Sequence, residues 1–350
     1  MKGADGLMEK ATRGIALCLC VLLCLSGCSG SFSEDASRRD RQIKIGVCAY
    51  DQFDTFISTI VEAFKNAAKQ KELDTGISIN LEVVGAGGKQ NVQNDQVADF
   101  IDREFDILCV NIVDRTDTTM IIDKAKSADV PVIFFNRELV REDLERWDKL
   151  YYVGAETIRS GIMQGEIVAR LCSGEDGMAL YDRNGDGKLQ YVMLEGEAGH
   201  QDALIRTEYS VSAIIEEGIQ VEKLGNEIAN WSRAQAQTKM KLWLEKLGDR
   251  IELVLANNDD MALGALDALE EYGADPLPIV VGVDGTPEAK QAVEEGTMGG
   301  TVVNDAEGQA KAMLELACHL GLGTELPEDI VLADDTYIRL PHTIVMKENK

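Results

Sequence analysis

Positive charge is what this 350-residue sequence is short of: 35 Lys and Arg stand against 61 Asp and Glu, a formal charge of −26 at pH 7. A field of that sign repels phosphate backbones and anionic headgroups, which excludes nucleic acid and a charged membrane surface as partners. It is compatible with a neutral ligand. Among the cysteines beyond residue 28 there is no CxxC spacing; Cys48, Cys109, Cys172 and Cys318 each lie inside an apolar run. They read as buried free thiols, because two cores of adequate size need no staple. No repeat of solenoid length is present. No helix-turn-helix with a basic face opens the chain, as the effector core of a repressor would require. The carboxylates fall in no recognisable glycosidase motif, so catalysis is not expected.

What does open the chain is a targeting segment. Lys2, Lys10 and Arg13 precede the uninterrupted apolar run Ile15–Leu25, and Leu25-Ser26-Gly27-Cys28 follows. The run is too short for a permanent membrane span and has signal-peptide proportions. Its end resembles the bacterial lipobox, which implies a signal at 1–28 with Cys28 lipidated. A polar disordered tether at 29–42 then follows. The chain is expected outside the cytoplasm, on the outer face of the cytoplasmic membrane or in a periplasm, touching lipid only through its anchor.

From Ile43 short apolar runs alternate with stretches of helical periodicity, in two successive series. That alternation implies parallel, doubly wound sheets, hence two α/β lobes. The ends of the strands carry the functional signal. Asn111, Asn136, Asn258 and Asn304 each directly follow an apolar strand, and Asp284 follows Ile279–Val283. Ligands of open α/β sheets bind at the carboxyl ends of the strands. One such residue would be read as a turn or a helix cap. Five together point to a ligand with many hydroxyls, whose donors and acceptors must each be matched once buried.

A separate pattern is Asp182-Arg-Asn184-Gly-Asp186-Gly-Lys188-Leu-Gln190. Oxygen-bearing side chains at positions 1, 3, 5 and 9, a glycine at 6 and a main-chain oxygen at 7 fit a calcium loop. Position 12, where a bidentate glutamate belongs, is Met193. An ordinary Asp/Asn/Gly-rich turn is the alternative.

Many short motifs in order make the chain resemble the galactose/glucose-binding proteins of the type I periplasmic substrate-binding superfamily. They include Ile45-Gly-Val, Pro131-Val-Ile-Phe-Phe-Asn136, Tyr151-Tyr-Val-Gly154, Gly196-Glu-Ala-Gly-His200, Ala256-Asn-Asn-Asp259, Gly282-Val-Asp284 and Gly300-Thr-Val-Val-Asn-Asp305. The resemblance implies that Asp54, Asn111, His200, Asp202, Arg206, Asn258, Asp284 and Asn304 bind hydroxyls. It implies that Phe56 and Trp231 sandwich a pyranose ring between them. It also supplies Glu252 as the missing ligand of a structural Ca2+ held by Asp182, Asn184, Asp186, Lys188 and Gln190. Among the departures from the family pattern, Arg115 and Gln201 each stand where a proline is usual, and Gly85–Lys89 is reshaped.

The implied architecture is two doubly wound parallel-sheet lobes joined by three hinge crossings, near Pro131, Asn304 and Tyr337. The N-terminal lobe then spans 43–130 plus 305–336, and the C-terminal lobe 131–304 plus 337–350. The implied function is capture of galactose or glucose by lobe closure and delivery, as a monomer, to an ABC importer permease. Ribose or xylose as ligand, or a receptor-only role on a chemoreceptor or sensor ectodomain, are the alternatives.

Overall fold

The computed structural model describes residues 42–173 and 177–347. The leader with Cys28, and the tether apart from Gln42, lie outside the described residues.

Two six-stranded sheets are present. The first holds β1 (Gln42–Ala49), β2 (Ser78–Gly85), β3 (Ile107–Val110), β4 (Val132–Phe135), β5 (Leu150–Ala155) and, from the far end of the chain, β11 (Tyr337–Leu340). Its strand order is β11-β5-β4-β3-β1-β2. The second holds β6 (Lys188–Glu195), β7 (Gln220–Ile228), β8 (Leu253–Ala256), β9 (Ile279–Asp284), β10 (Gly300–Val303) and β12 (Thr343–Val345), in the order β12-β10-β9-β8-β6-β7. Every pairing between these strands is parallel except β10 with β12. Both faces of a parallel sheet must therefore be covered, which is why the strands read as continuous apolar runs.

The cover comes from helices between the strands. In the first lobe these are α1 (Thr55–Thr75), α2 (Gln90–Asp102), α3 (Thr119–Ala128) and the single turn α4 (Arg141–Leu144). The second lobe has α5 (Thr157–Leu171), α6 (Gln201–Glu216), α7 (Arg233–Leu247), α8 (Asp259–Tyr272) and α9 (Pro287–Glu295); α10 (Ala306–Leu322) then returns to the first. Strand alternation sorts the cores. Ile43, Ile45 and Val47 pack with Ile60 and Phe64 of α1 and Leu316 of α10, whereas Cys48 faces the other way, toward Phe100 and Ile121. In the second sheet Val192 and Leu194 pack with Met240 and Leu244, while Tyr191 and Met193 meet Ile167 and Ile214. Cys48, Cys109, Cys172 and Cys318 are buried and unpaired.

The doubly wound architecture agrees with the sequence, but the first crossing does not fall near Pro131. β4 pairs with β3, and β5 with β4, inside the first sheet. The chain leaves that lobe between Ala155 and Thr157, returns between Val303 and Ala306, and crosses last between Leu340 and Thr343, so β4, β5 and β11 belong to the first lobe and not, as expected, to the second. The boundary near Pro131 came from the resemblance alone, and a proline at that place is compatible with a strand that continues the first sheet. Pro131 sits just before the strand, where only an acceptor is needed, and its carbonyl takes the Leu108 N–H at 3.1 Å.

Candidate functional site

The loops at the carboxyl ends of both sheets meet around one cavity. It leaves about 360 Å³ free of protein atoms, part of it open to solvent. Its lining comes from both lobes: Tyr50, Asp54, Phe56, Ile57, Asn136 and Arg137 from the first, and His200, Asp202, Arg206, Trp231, Asn258 and Asp284 from the second. Eight of the ten expected residues are therefore brought together, and both aromatic plates, Phe56 and Trp231, face the same space as Asn258 and Asp284.

Local structure explains how. Asp54, His200 and Asn258 are N-caps of α1, α6 and α8, their side chains accepting from Ile57 N, Asp202 N and Met261 N. Capping and facing the cleft are not alternatives here. A helix that starts at the carboxyl end of a strand begins in the cleft, so its cap and first-turn residues line it.

Each polar group is preorganised. Asp54 accepts from Ile57 N at 2.9 Å and from the Tyr50 hydroxyl at 2.6 Å. The Asp202 carboxylate takes the Thr157 hydroxyl at 3.0 Å and lies 3.9 Å from Arg206 Nη2. Arg206 is itself held by Ser160 Oγ at 3.2 Å and the Asn257 carbonyl at 2.8 Å. Burial pulls the His200 imidazole down to about 4, so it is neutral near pH 7. Its Nδ1 accepts the Asp202 N–H at 3.1 Å, which puts the proton on Nε2 and makes that atom a donor. The ring stands edge-on to Trp231, centroids 5.1 Å apart. Burial pushes the Asp284 carboxyl well above its usual range, with Arg206 acting against it.

Three lining residues are not glycine yet have left-handed backbones: Asn136 (φ 62°), Trp231 (φ 63°) and Asp284 (φ 126°). For a bulky residue such as Trp this is an outlier, and such strain of about 1–3 kcal/mol gathers at functional sites. Gly196 makes room for the indole: a Cβ there would come within 2.2 Å of the Trp231 ring.

Two expected residues stand elsewhere. Asn111 is fully buried beneath the floor, accepting from Tyr50 N at 3.3 Å and donating to the Phe135 carbonyl at 3.0 Å. It also donates to Asn136 Oδ1 at 3.3 Å, so it props a lining residue. Asn304 lines a small adjoining cavity with Thr157, Asp202, Arg206 and His342, at the crossings between the lobes. Its Oδ1 is taken by Gln309 Nε2 at 2.7 Å.

Four lining residues were not among the ten. Asn136 carried the strand-end signal, whereas Tyr50, Ile57 and Arg137 carried none. Arg137 is nearly buried, with its guanidinium 3.7 Å from the Tyr50 ring centre, one nitrogen on the Val113 carbonyl at 2.8 Å and another on Glu197 of the opposite lobe at 3.0 Å.

The calcium expectation is overturned. Among the described residues no group of three or more His, Cys, Asp or Glu could hold a metal ion. The loop closes on itself instead. Asp182 accepts from the backbones of Gly185, Asp186 and Gly187. Asn184 donates to Gln190 at 3.0 Å, and Gln190 donates to Asp186 at 2.9 Å, which turns amide hydrogens inward where ligand oxygens were expected. Glu252 uses one oxygen on Arg183 N and the other on Gln190 N. Lys188 supplies its backbone N–H to Asp186 at 2.9 Å. The alternative reading, an Asp/Asn/Gly-rich turn, describes the loop.

Comparison with known proteins agrees with this geometry. Residues 45–325 match the model of the periplasmic binding protein domain. The chain is 36% identical over 330 residues to the D-galactose/methyl-galactoside binding periplasmic protein of Haemophilus influenzae, covering 93% of this chain and 94% of that one. It is 28% identical to a xylitol-binding protein of Mycolicibacterium smegmatis, covering 95% and 89%. An ABC transporter solute binding protein from Bacillus halodurans, solved with bound myo-inositol, superposes with a TM-score of 0.72 at 29% identity, covering 87% of this chain and 94% of that one.

Proposed function

The chain belongs to the periplasmic binding protein family, and from that premise we propose that it captures a neutral hexopyranose, galactose or glucose, between its lobes. It is a binding protein, not an enzyme. Residue by residue, the ring lies between Phe56 and Trp231, with its flat C–H faces against the aromatic faces. Asp54, Asp202 and Asp284 accept from hydroxyls; Arg206, Asn258 and His200 Nε2 donate. Hydrogen bonds in which one partner is charged are roughly twice as strong as neutral ones, which favours Asp54, Asp202 and Arg206 as anchors. The single observation that carries this reading is that the two aromatic side chains and these six polar ones, from both lobes, line one cavity.

Galactose and glucose differ in the orientation of one hydroxyl. Asp54, an acceptor with two oxygens, is suited to meet either. The 36% identity to a galactose and methyl-galactoside binder supports a hexose over a pentose. Delivery is to an ABC importer permease that recognises the closed form, with the protein tethered outside the cytoplasm through Cys28.

Calorimetry across galactose, glucose, ribose, xylose and xylitol tests this. Galactose or glucose binding at least tenfold tighter than the pentoses supports the proposal. Tighter binding of a pentose or a polyol overturns it.

A further inference from the structure

The turn after β4 is built to aim one side chain. The Arg137 N–H bonds back to the Phe135 carbonyl at 2.8 Å, closing a three-residue turn about Asn136, whose φ is 62°. Turns of this left-handed kind are rare and strained, and persist only where the surroundings over-determine them. Here they do. The Asn136 carbonyl accepts from the Tyr152 hydroxyl at 2.9 Å, and its Oδ1 accepts from Asn111 Nδ2 at 3.3 Å. Asn111 also accepts the Tyr50 N–H at 3.3 Å, so one buried amide braces the turn after β4 against the turn after β1.

What the strained turn delivers is Arg137. Its guanidinium carbon lies 3.7 Å from the Tyr50 ring centre, with one nitrogen donating to the Val113 carbonyl at 2.8 Å. A planar guanidinium can lie on an aromatic face and still donate from its edge, which a lysine ammonium cannot do. Tyr50 in turn donates its hydroxyl to Asp54 Oδ2 at 2.6 Å. Burial, and then the Asp54 carboxylate, push the Tyr50 phenol well above its usual range, with Arg137 acting against them, so the phenol keeps its proton. The other Asp54 oxygen accepts from Ile57 N at 2.9 Å. A carboxylate has about four acceptor sites. Tyr50 and Ile57 take one on each oxygen and fix the plane of the group.

We infer that Arg137 is a positioning residue that acts through Tyr50 on Asp54, and that this strut sets the balance between galactose and glucose. The inference rests on the hexose reading, in which Asp54 meets the hydroxyl at which the two sugars differ. The acceptor sites left free lie on different oxygens and point in different directions. The two hydroxyl orientations therefore call on different oxygens. One oxygen is shared with Tyr50, the other with the backbone of α1. Releasing Tyr50 alters the first and spares the second, so the two sugars respond unequally. A residue that only favours closure would change both alike.

The test is calorimetry with galactose and with glucose on the mature wild-type protein, Tyr50→Phe, Arg137→Met, the double variant and Glu197→Gln. Tyr50→Phe keeps the ring and removes only the hydroxyl. It is expected to change the galactose-to-glucose affinity ratio about fivefold or more. Arg137→Met should move the ratio in the same direction, by at least about threefold. The double variant should match Tyr50→Phe within about twofold, because residues that act through one another are not additive. Glu197→Gln removes the charge that Arg137 meets across the cleft and should leave the ratio within about twofold of wild type. An unchanged ratio in Tyr50→Phe or Arg137→Met overturns the strut, even if both sugars bind more weakly. A fully additive double variant overturns it too, as does a Glu197→Gln shift as large as that of Arg137→Met. A wild type that binds neither sugar fells the hexose reading itself, and the inference with it.

Discussion

Thr55 donates its hydroxyl to the Asp260 carboxylate at 2.6 Å, and the bond joins the first turn of α1 in one lobe to the first turn of α8 in the other. Like the Arg137–Glu197 pair at 3.0 Å, it is a polar contact that spans the cleft. Such contacts add to the closed form whichever ligand is bound. Glu197 is half exposed, so its pair contributes little. The Thr55 bond is worth on the order of 1 kcal/mol.

Thr55→Val should therefore shift the population toward the open form and weaken sugar binding about fivefold, since apparent affinity scales with the competent fraction. Small-angle scattering of the ligand-free variant should give a larger radius of gyration than wild type. An unchanged radius and affinity would mean that this bond does not weigh on closure.

Trp231→Ala and Asp284→Ala are each expected to weaken binding by at least roughly 2 kcal/mol, the loss typical of central contacts. Gly196→Ala is the subtler variant. Its methyl must displace the indole it would otherwise overlap, so affinity should drop at least about tenfold while Trp231 remains in place chemically. Intrinsic tryptophan fluorescence would report the displaced ring. Wild-type affinity in Gly196→Ala would remove Trp231 from the ligand's surroundings.

Stability should depend on pH through His200 and Asp259 with opposite signs. Burial lowers His200 from 6.5 to about 4. Below pH 6.5 the unfolded chain takes up a proton that the folded one refuses, so stability falls as pH drops from about 6.5 to about 4. Burial raises Asp259 from 3.8 to about 6, with bonds from Thr301 and Thr286 opposing. The folded chain then holds a proton that the unfolded one has lost, and stability falls as pH rises from about 4 to about 6. Each effect is on the order of 3 kcal/mol, and the two oppose each other. His200→Asn keeps a good cap and removes only the first. Its stability relative to wild type, from urea unfolding, should therefore decline by about 3 kcal/mol between pH 4 and pH 6.5. A difference that does not vary with pH would show that His200 titrates normally.

At the Asp182–Gln190 loop, chelation should leave the melting temperature unchanged. Glu252→Gln should not. Glu252 is buried and holds two backbone N–H groups, and an amide would point a donor at one of them, at a cost of about 2–3 kcal/mol. Thermal melts of both samples decide the matter: a chelator-sensitive wild type with a tolerant Glu252→Gln would contradict the hydrogen-bond account.

Much of this molecule was legible in the residues. Runs such as Ile279–Val283 announce strands buried on both faces, and three of the five Asn or Asp residues that end strands, Asn136, Asn258 and Asp284, line the cavity. Pro131 and the Asp182 loop were misread for a shared reason. Both were carried over from the resemblance, a crossing and a ligand set, whereas the hydrogen-bond partners seen here decide what they do. Tyr50 and Arg137 were missed because they sit in the turns that follow β1 and β4, where nothing repeats or alternates, and Ile57 because its helical spacing reads as core.

By itself the sequence determined the element order, the two-lobe class, and the chemistry at the strand ends, because periodicity and capping are local properties of the chain. Only the tertiary structure decided that Asn111 supports the floor instead of lining it, and that Arg137 closes on Glu197. It likewise decided that the chain crosses after Ala155. Those facts depend on pairing between strands and loops far apart in the chain, where hydrogen-bond partners are chosen by packing and no residue's own type foretells them.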